Sequence, residues 1–193
     1  PVQLALQLKK LKEQNIDHVI LEASSHGLKQ NRLDGLQFKT GIFTNLSHDH
    51  LDYHKNYSDY LNSKLYLFKK LLNKRSKVIV DTSIPEFKKI KKISKKKKLN
   101  LKTILNNNNS LSLISHRYLG EKQIIKIKYK NSIYSFSLKL FGKIQIKNIL
   151  MAMLAAESNN LKFEKIVNKI SKIKPVNGRL EKIGKIKNNS MVI

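Results

Sequence analysis

The chain has 193 residues, a formal net charge of +26 and no cysteine. That length supports one sizeable core. The missing thiols exclude disulfide and thiolate chemistry and fit a reducing compartment, and no apolar run is long enough to span a bilayer.

The elements follow in chain order. Leu4, Leu6, Leu8 and Leu11 lie in a lysine-rich stretch and predict an amphipathic helix over about residues 3–15. Asp17 to Glu22 reads as a short buried strand. Ser24 is placed to cap a helix turn that Gly27 would end. Phe38 to Asn45 predicts the next strand and Asp49 to Leu72 a long helix, with Asp49 as its cap. Lys77 to Asp81 predicts a third strand, Pro85 to Lys98 a basic helix and Leu101 to Leu105 a further strand. Asn106 to Asn109 is a low-complexity turn. From Gln123 to Leu140 the pattern alternates around Lys130-Asn-Ser132, as in an antiparallel hairpin. Ile144 to Asn159 and Leu161 to Ile173 read as helices, and Pro175-Val-Asn-Gly178 breaks the chain. Leu180 to Ile193 predicts a terminal hairpin turning at Asn188-Asn189. The expected fold is α/β: a mostly parallel sheet with flanking helices, plus a smaller antiparallel hairpin region.

The positive charge invites a nucleic-acid-binding reading. Its distribution argues for a solvated surface. Lysines are spread over most segments, with one dense run from Lys88 to Lys98, arginine is scarce, and no aromatic side chains interleave with that run as a stacking platform requires.

The chemistry concentrates in Asn45-Leu-Ser-His-Asp-His-Leu-Asp-Tyr-His54, which holds three histidines and two aspartates in ten residues. It follows the apolar run Gly41-Ile-Phe-Thr44. A second acidic strand end, Val19-Ile-Leu-Glu22, leads into Ala23-Ser-Ser-His-Gly27. Two neighbouring strand ends of this kind point to one shared site, because polar groups are displayed where strands end and helices begin. Either junction alone is also what an ordinary capped helix start looks like. His54 stands four residues after His50, the spacing of a zinc pair on a helix.

Leu21-Glu-Ala-Ser-Ser-His-Gly-Leu28, Gln30, Arg32, the Phe43–His54 segment and Tyr60-Leu-Asn-Ser-Lys64 together resemble the central domain of the Mur ligase family. Weaker similarity runs through Gly142 to Glu157 and Asn177 to Ile183. Within the family the Ser-Ser-His-Gly-Leu segment resembles the member that adds a diamino acid, meso-diaminopimelate or L-lysine, to a UDP-muramoyl-dipeptide in peptidoglycan synthesis. A sister Mur ligase or a folate polyglutamate synthase is the alternative enzyme. The resemblance implies an ATP-dependent ligase that forms an acyl phosphate and then an amide, with Mg2+ as cofactor, acting as a cytoplasmic monomer without nucleic acid or membrane insertion.

It also implies roles residue by residue. Glu22, His50 and Lys64 would serve the metals, Lys64 as a carbamate, with His50 and Lys64 the catalytic residues. Ser24, Gln30 and Arg32 would hold the UDP-muramoyl-dipeptide, and Asn148 and Arg179 would face the nucleotide. The resemblance gives His54 no ligand role, and His48 reads as a surface residue. Relatives usually carry asparagine where this chain has Gln145, and proline where it has Asn177. No Gly-x-x-x-x-Gly-Lys-Ser/Thr loop occurs in the chain. Residues 1–193 are therefore expected to be a central ATP-binding domain without its phosphate-loop strand and without a C-terminal domain, inactive in isolation.

Overall fold

The computed structural model of the chain describes residues 2–46, 52–105, 111–176, 178, 184–185 and 191–192. Helix α1 (Val2–Glu13) and the short α2 (Ser25–Lys29) precede strand β1 (Phe38–Phe43). Helix α3 (Tyr57–Tyr66) runs into a π turn, Leu67–Leu71, and then directly into β2 (Leu72–Asp81). Helix α4 (Phe87–Lys96) crosses to β3 (Asn100–Ile104). The three strands form a parallel sheet in the order β1-β2-β3. Next come β4 (Ser112–Leu119), β5 (Lys122–Tyr129) and β6 (Ser132–Leu138), an antiparallel sheet in sequence order. Helices α5 (Lys143–Ser158) and α6 (Phe163–Ile170) follow, and β7 (Gly184–Lys185) pairs antiparallel with β8 (Met191–Val192).

The period-2 alternation of β2 divides the core in two. Val78 and Val80 point into a cluster with Leu28, Phe43, Leu61, Leu65, Phe68 and Ile90, under α2, α3 and α4. Ile79, between them, points into the other cluster, which joins the parallel sheet to β5, β6, α5 and α6. All three β2 side chains have no exposed surface. Both faces of the sheet are thus covered, as expected for parallel strands linked by helical crossovers. Gly41 lets the π turn pack down on β1. A Cβ there would lie 3.2 Å from Leu72 Cδ1 and Phe68 Cε1.

The α/β class, the parallel sheet and the antiparallel hairpin agree with the sequence reading. Asp17–Glu22 does not: the segment is irregular and mostly exposed, with Ile20 98 % exposed. A strand-like run becomes a strand only when a neighbour completes its ladder. Among the described strands β1 pairs with β2 alone, and none lies beside residues 17–22. Helix α3 starts at Tyr57 rather than near Asp49, because Asn56 supplies the cap: its Oδ1 accepts the Asp59 N–H at 2.9 Å. Gly27 lies inside α2 rather than at its end. β4 was not foreseen. Ser112-Leu-Ile-Ser-His-Arg-Tyr-Leu119 lacks clean alternation and becomes a strand through pairing with β5.

Candidate active site

Glu22 is an exposed carboxylate three residues before the start of α2. Ser24 caps that helix. Its backbone is extended, at φ −62° and ψ 149°, and its Oγ accepts the Gly27 N–H at 3.1 Å. Gln30 ends the helix and its Nε2 donates to Tyr53 Oη at 2.9 Å. Arg32 follows in the turn with an exposed side chain, its backbone N–H donating to the Gly27 carbonyl at 2.9 Å. Glu22, Ser24, Gln30 and Arg32 therefore flank or belong to one short helical turn.

That turn is bound to the chain segment after β1. Lys29 Nζ lies 2.5 Å from Asp59 Oδ2, and His26 meets the Tyr53 ring edge-on at 3.9 Å between centroids. The Lys29 ammonium holds the Asp59 carboxyl below its ordinary range. Buried Leu28 packs in the same cluster as Leu61 and Leu65 of α3. Lys64 projects from this helix, half-buried. Its Nζ donates to the Asn45 carbonyl at 3.2 Å, just beyond the C-terminal end of β1, and lies 5.1 Å from the Tyr60 ring centroid. The structure thus brings the proposed substrate turn and the helix of Lys64 together at one end of the parallel sheet.

Asn148 is exposed on α5, which packs with the other core cluster, so it is not part of this grouping. His50, His48, Asp49 and Arg179 lie outside the described residues. Among the described residues, no three His, Cys, Asp or Glu side chains cluster as a metal centre needs. His54 lies before α3 rather than on a helix, so it does not build a helical zinc pair.

Sequence reasoning missed the group beneath this rim. His54 is 1 % exposed, and its Nε2 lies 3.0 Å from Ser25 Oγ, itself buried. Burial is the main cause holding the His54 pKa below its ordinary value, with the Lys29 charge adding to it and Asp59 opposing. The available signal was a histidine and an aspartate five residues apart, with Tyr60 following; nothing in that spacing shows which of them turns inward.

The sheet order and the helical crossovers describe an α/β domain built on a parallel sheet, and comparison with known proteins gives its family. The family model for the Mur ligase middle domain matches residues 1–156, and the chain belongs to that family. A relative from Chelativorans sp., named UDP-N-acetylmuramoyl-L-alanyl-D-glutamate--2,6-diaminopimelate ligase, is 34 % identical over 192 residues, covering 100 % of this chain and 40 % of the relative. The chain thus spans about two-fifths of the length of that relative. A solved ligase of the same name superposes with a TM-score of 0.75 at 24 % identity, covering 86 % of this chain and 34 % of that one. The MurF ligase of Thermotoga maritima, solved with ADP, superposes with a TM-score of 0.68 at 13 % identity, over 84 % of this chain and 36 % of that one. These two likenesses show the shared fold. No described helix is long and apolar enough to cross a membrane.

Proposed function

We propose that this chain is the middle part of an ATP-dependent amide ligase that adds a diamino acid, meso-diaminopimelate, to UDP-N-acetylmuramoyl-L-alanyl-D-glutamate during peptidoglycan synthesis in the cytoplasm. The observation that carries the reading is the pairing of two elements at one end of the parallel sheet. One is the turn bearing Glu22, Ser24, Gln30 and Arg32, and the other is the helix bearing Lys64. The names of relatives such as the Chelativorans sp. ligase point to the same acceptor and the same amine.

The chemistry of these side chains suits the reaction. Arg32 is an exposed guanidinium able to grip a phosphate or carboxylate with two parallel hydrogen bonds. Gln30 keeps its carbonyl oxygen to accept from the substrate while its amide nitrogen donates to Tyr53. Ser24 retains its hydroxyl hydrogen, because its oxygen acts as an acceptor in the cap. Asn148 and Arg179 would face the nucleotide.

The donor set fits a hard cation. Glu22 offers an exposed carboxylate, and a carbamate on Lys64 would add oxygens where an ammonium would repel the ion. Bound Mg2+, held by Glu22, His50 and carbamylated Lys64, would neutralise the charge that gathers on the transferring phosphoryl group. The half-buried Lys64 amine reacts with carbon dioxide when neutral. The ammonium first loses one proton, and the new N–C bond then gives a carbamate and releases a second, so that a cation becomes an anion.

The test is an assay of the full-length protein that contains this chain. With ATP, Mg2+, UDP-N-acetylmuramoyl-L-alanyl-D-glutamate and meso-diaminopimelate it forms the tripeptide and one ADP per amide bond. Absence of product with diaminopimelate, or turnover only with lysine or a folate acceptor, overturns the assignment.

A further inference from the structure

The contacts between α2 and the segment leading into α3 converge on one buried imidazole. The Nε2 of His54 lies 3.0 Å from Ser25 Oγ, and the two residues are 1 % and 4 % exposed. On the far side of the ring, Nδ1 lies 3.6 Å from Asp59 Oδ2, and has no hydrogen-bond partner among the described residues. The Asp59 carboxylate favours the tautomer with its hydrogen on Nδ1, which leaves Nε2 to accept the Ser25 hydroxyl. Tyr60 stacks on the ring at 4.8 Å and 22°, and His26 stacks at 5.6 Å and 24°. Tyr53 meets it edge-on at 5.0 Å and 90°.

A serine, a histidine and an aspartate in this order have the layout of a nucleophilic triad. Burial argues against that use here, because Ser25 is 4 % exposed and its hydroxyl faces the likewise buried His54 rather than solvent. What the group does is mechanical. Ser25 is the neighbour of Ser24. Gln30, at the other end of α2, is tied to Tyr53, the neighbour of His54. Tyr60, stacked on His54, carries the Lys64 ammonium over its ring. A continuous row of packed side chains, Ser25–His54–Tyr60–Lys64, links the substrate turn to the catalytic lysine.

We propose that His54 is a positioning residue, which sets the turn of Ser24, Gln30 and Arg32 in register with Lys64 through Ser25 and Tyr60. This rests on the ligase reading above. A misplaced turn weakens the hold on the UDP-muramoyl-dipeptide, while the nucleotide, bound elsewhere, is unaffected.

The experiment uses the full-length protein and three single variants. His54→Phe keeps the stacked ring and deletes both nitrogens. Ser25→Ala removes the same hydrogen bond from the other partner and leaves the imidazole. His54→Gln restores a polar atom near the position of Nε2. His54→Phe and Ser25→Ala are expected to raise the KM for the UDP-muramoyl-dipeptide by about tenfold, the weight of one buried hydrogen bond. The KM for ATP stays within about twofold, and the double variant is no worse than either single one, since both delete one bond. His54→Gln recovers part of the loss. Amides of residues 25–30 exchange faster in both variants while the global unfolding midpoint moves little.

An unchanged dipeptide KM in both variants overturns the proposal. So does an equal rise in both KM values, which is the mark of general damage. If His54→Phe does not fold, Ser25→Ala decides, since it removes a single oxygen. A wild-type protein that makes no amide product overturns the ligase reading and this inference together. An active wild-type with flat variant KM values overturns this inference alone.

Discussion

Lys97 Nζ donates to two backbone carbonyls, those of Lys69 and Leu72, each at 2.8 Å. These oxygens lie where the π turn gives way to β2, a place where backbone acceptors are left over. One lysine of a basic run therefore closes a helix–strand junction. The others in α4, from Lys88 to Lys96, are exposed, with Ile90 and Ser94 turned to the core.

The first prediction separates these lysines. Replacing Lys88, Lys89, Lys91, Lys92, Lys95 and Lys96 with glutamine leaves ligase turnover of the full-length protein unchanged and the urea midpoint nearly so. Lys97→Ala alone lowers stability by roughly 1.5–3 kcal/mol, the range for hydrogen bonds to a charged group. A loss of turnover in the six-fold variant at normal stability would restore a functional role for the run. A salt-sensitive gain of DNA binding in the wild type over that variant would favour the nucleic-acid reading.

A second prediction concerns Asp81, which is 1 % exposed at the end of β2. It accepts from Ser83 N–H and Oγ–H and lies 2.6 Å from Lys147 Nζ of α5. The pair ties the parallel sheet to α5. Lys147→Ala leaves a buried carboxylate with only Ser83 to satisfy it, at a cost of about 3 kcal/mol. Asp81→Asn costs less, because the side chain of Lys147 is 37 % exposed and reaches water. Chemical denaturation of both variants checks the order, and a larger loss for Asp81→Asn contradicts it.

The third prediction is a pH dependence. Burial holds His54 below its ordinary value of 6.5, helped by Lys29 and opposed by Asp59. The other titratable groups around its ring are His26, Tyr53 and Tyr60. The unfolded chain takes up the proton at higher pH than the folded one. Stability from this residue is therefore complete above about pH 6.5 and falls as pH drops below it. His54→Gln cannot titrate. The wild type should lose more of its urea midpoint than this variant between pH 7.5 and pH 5.5, both being measured in the same buffers. Parallel pH profiles would refute the assignment.

How much of this was legible in the sequence depends on where each partner lies. Val78-Ile-Val80 reads as a buried strand because every side chain in it is apolar, whichever face it meets. Lys64 and the Ser24 turn were legible through the family resemblance, since they sit in short contiguous motifs. Asp17–Glu22 misled for the converse reason: its pattern is that of a strand, but pairing is not encoded in the strand itself. The inward turn of His54 was hidden because it depends on α2 arriving from 29 residues earlier, with Ser25 to meet Nε2. The Lys97 contacts with the π turn were hidden likewise, since one lysine among many carries no mark of its target.

The last prediction concerns Lys64. Its amine lies at the C-terminal end of β1, donating to Asn45 and resting against Tyr60, so the stem is already ordered. Truncating it removes no core contact of the kind that Leu61 or Leu65 makes, and the cost in stability should stay below about 1 kcal/mol, as for most rim positions. Turnover should fall much further. A carbamate at this position would supply oxygens for Mg2+, and an alanine supplies none. Lys64→Ala in the full-length protein is expected to lose most of its kcat with the unfolding midpoint retained. Lys64→Arg should not recover it, because guanidinium does not form a stable carbamate and remains a cation. Short carboxylic acids added to Lys64→Ala should restore part of the rate by resupplying an anion at the vacated position, and should leave the wild type unaffected. Carbon-13 carbon dioxide should give a carbamate resonance in the wild type that is missing from the variant. Full activity in Lys64→Ala, or an active wild type with no such resonance, would remove Lys64 from the mechanism.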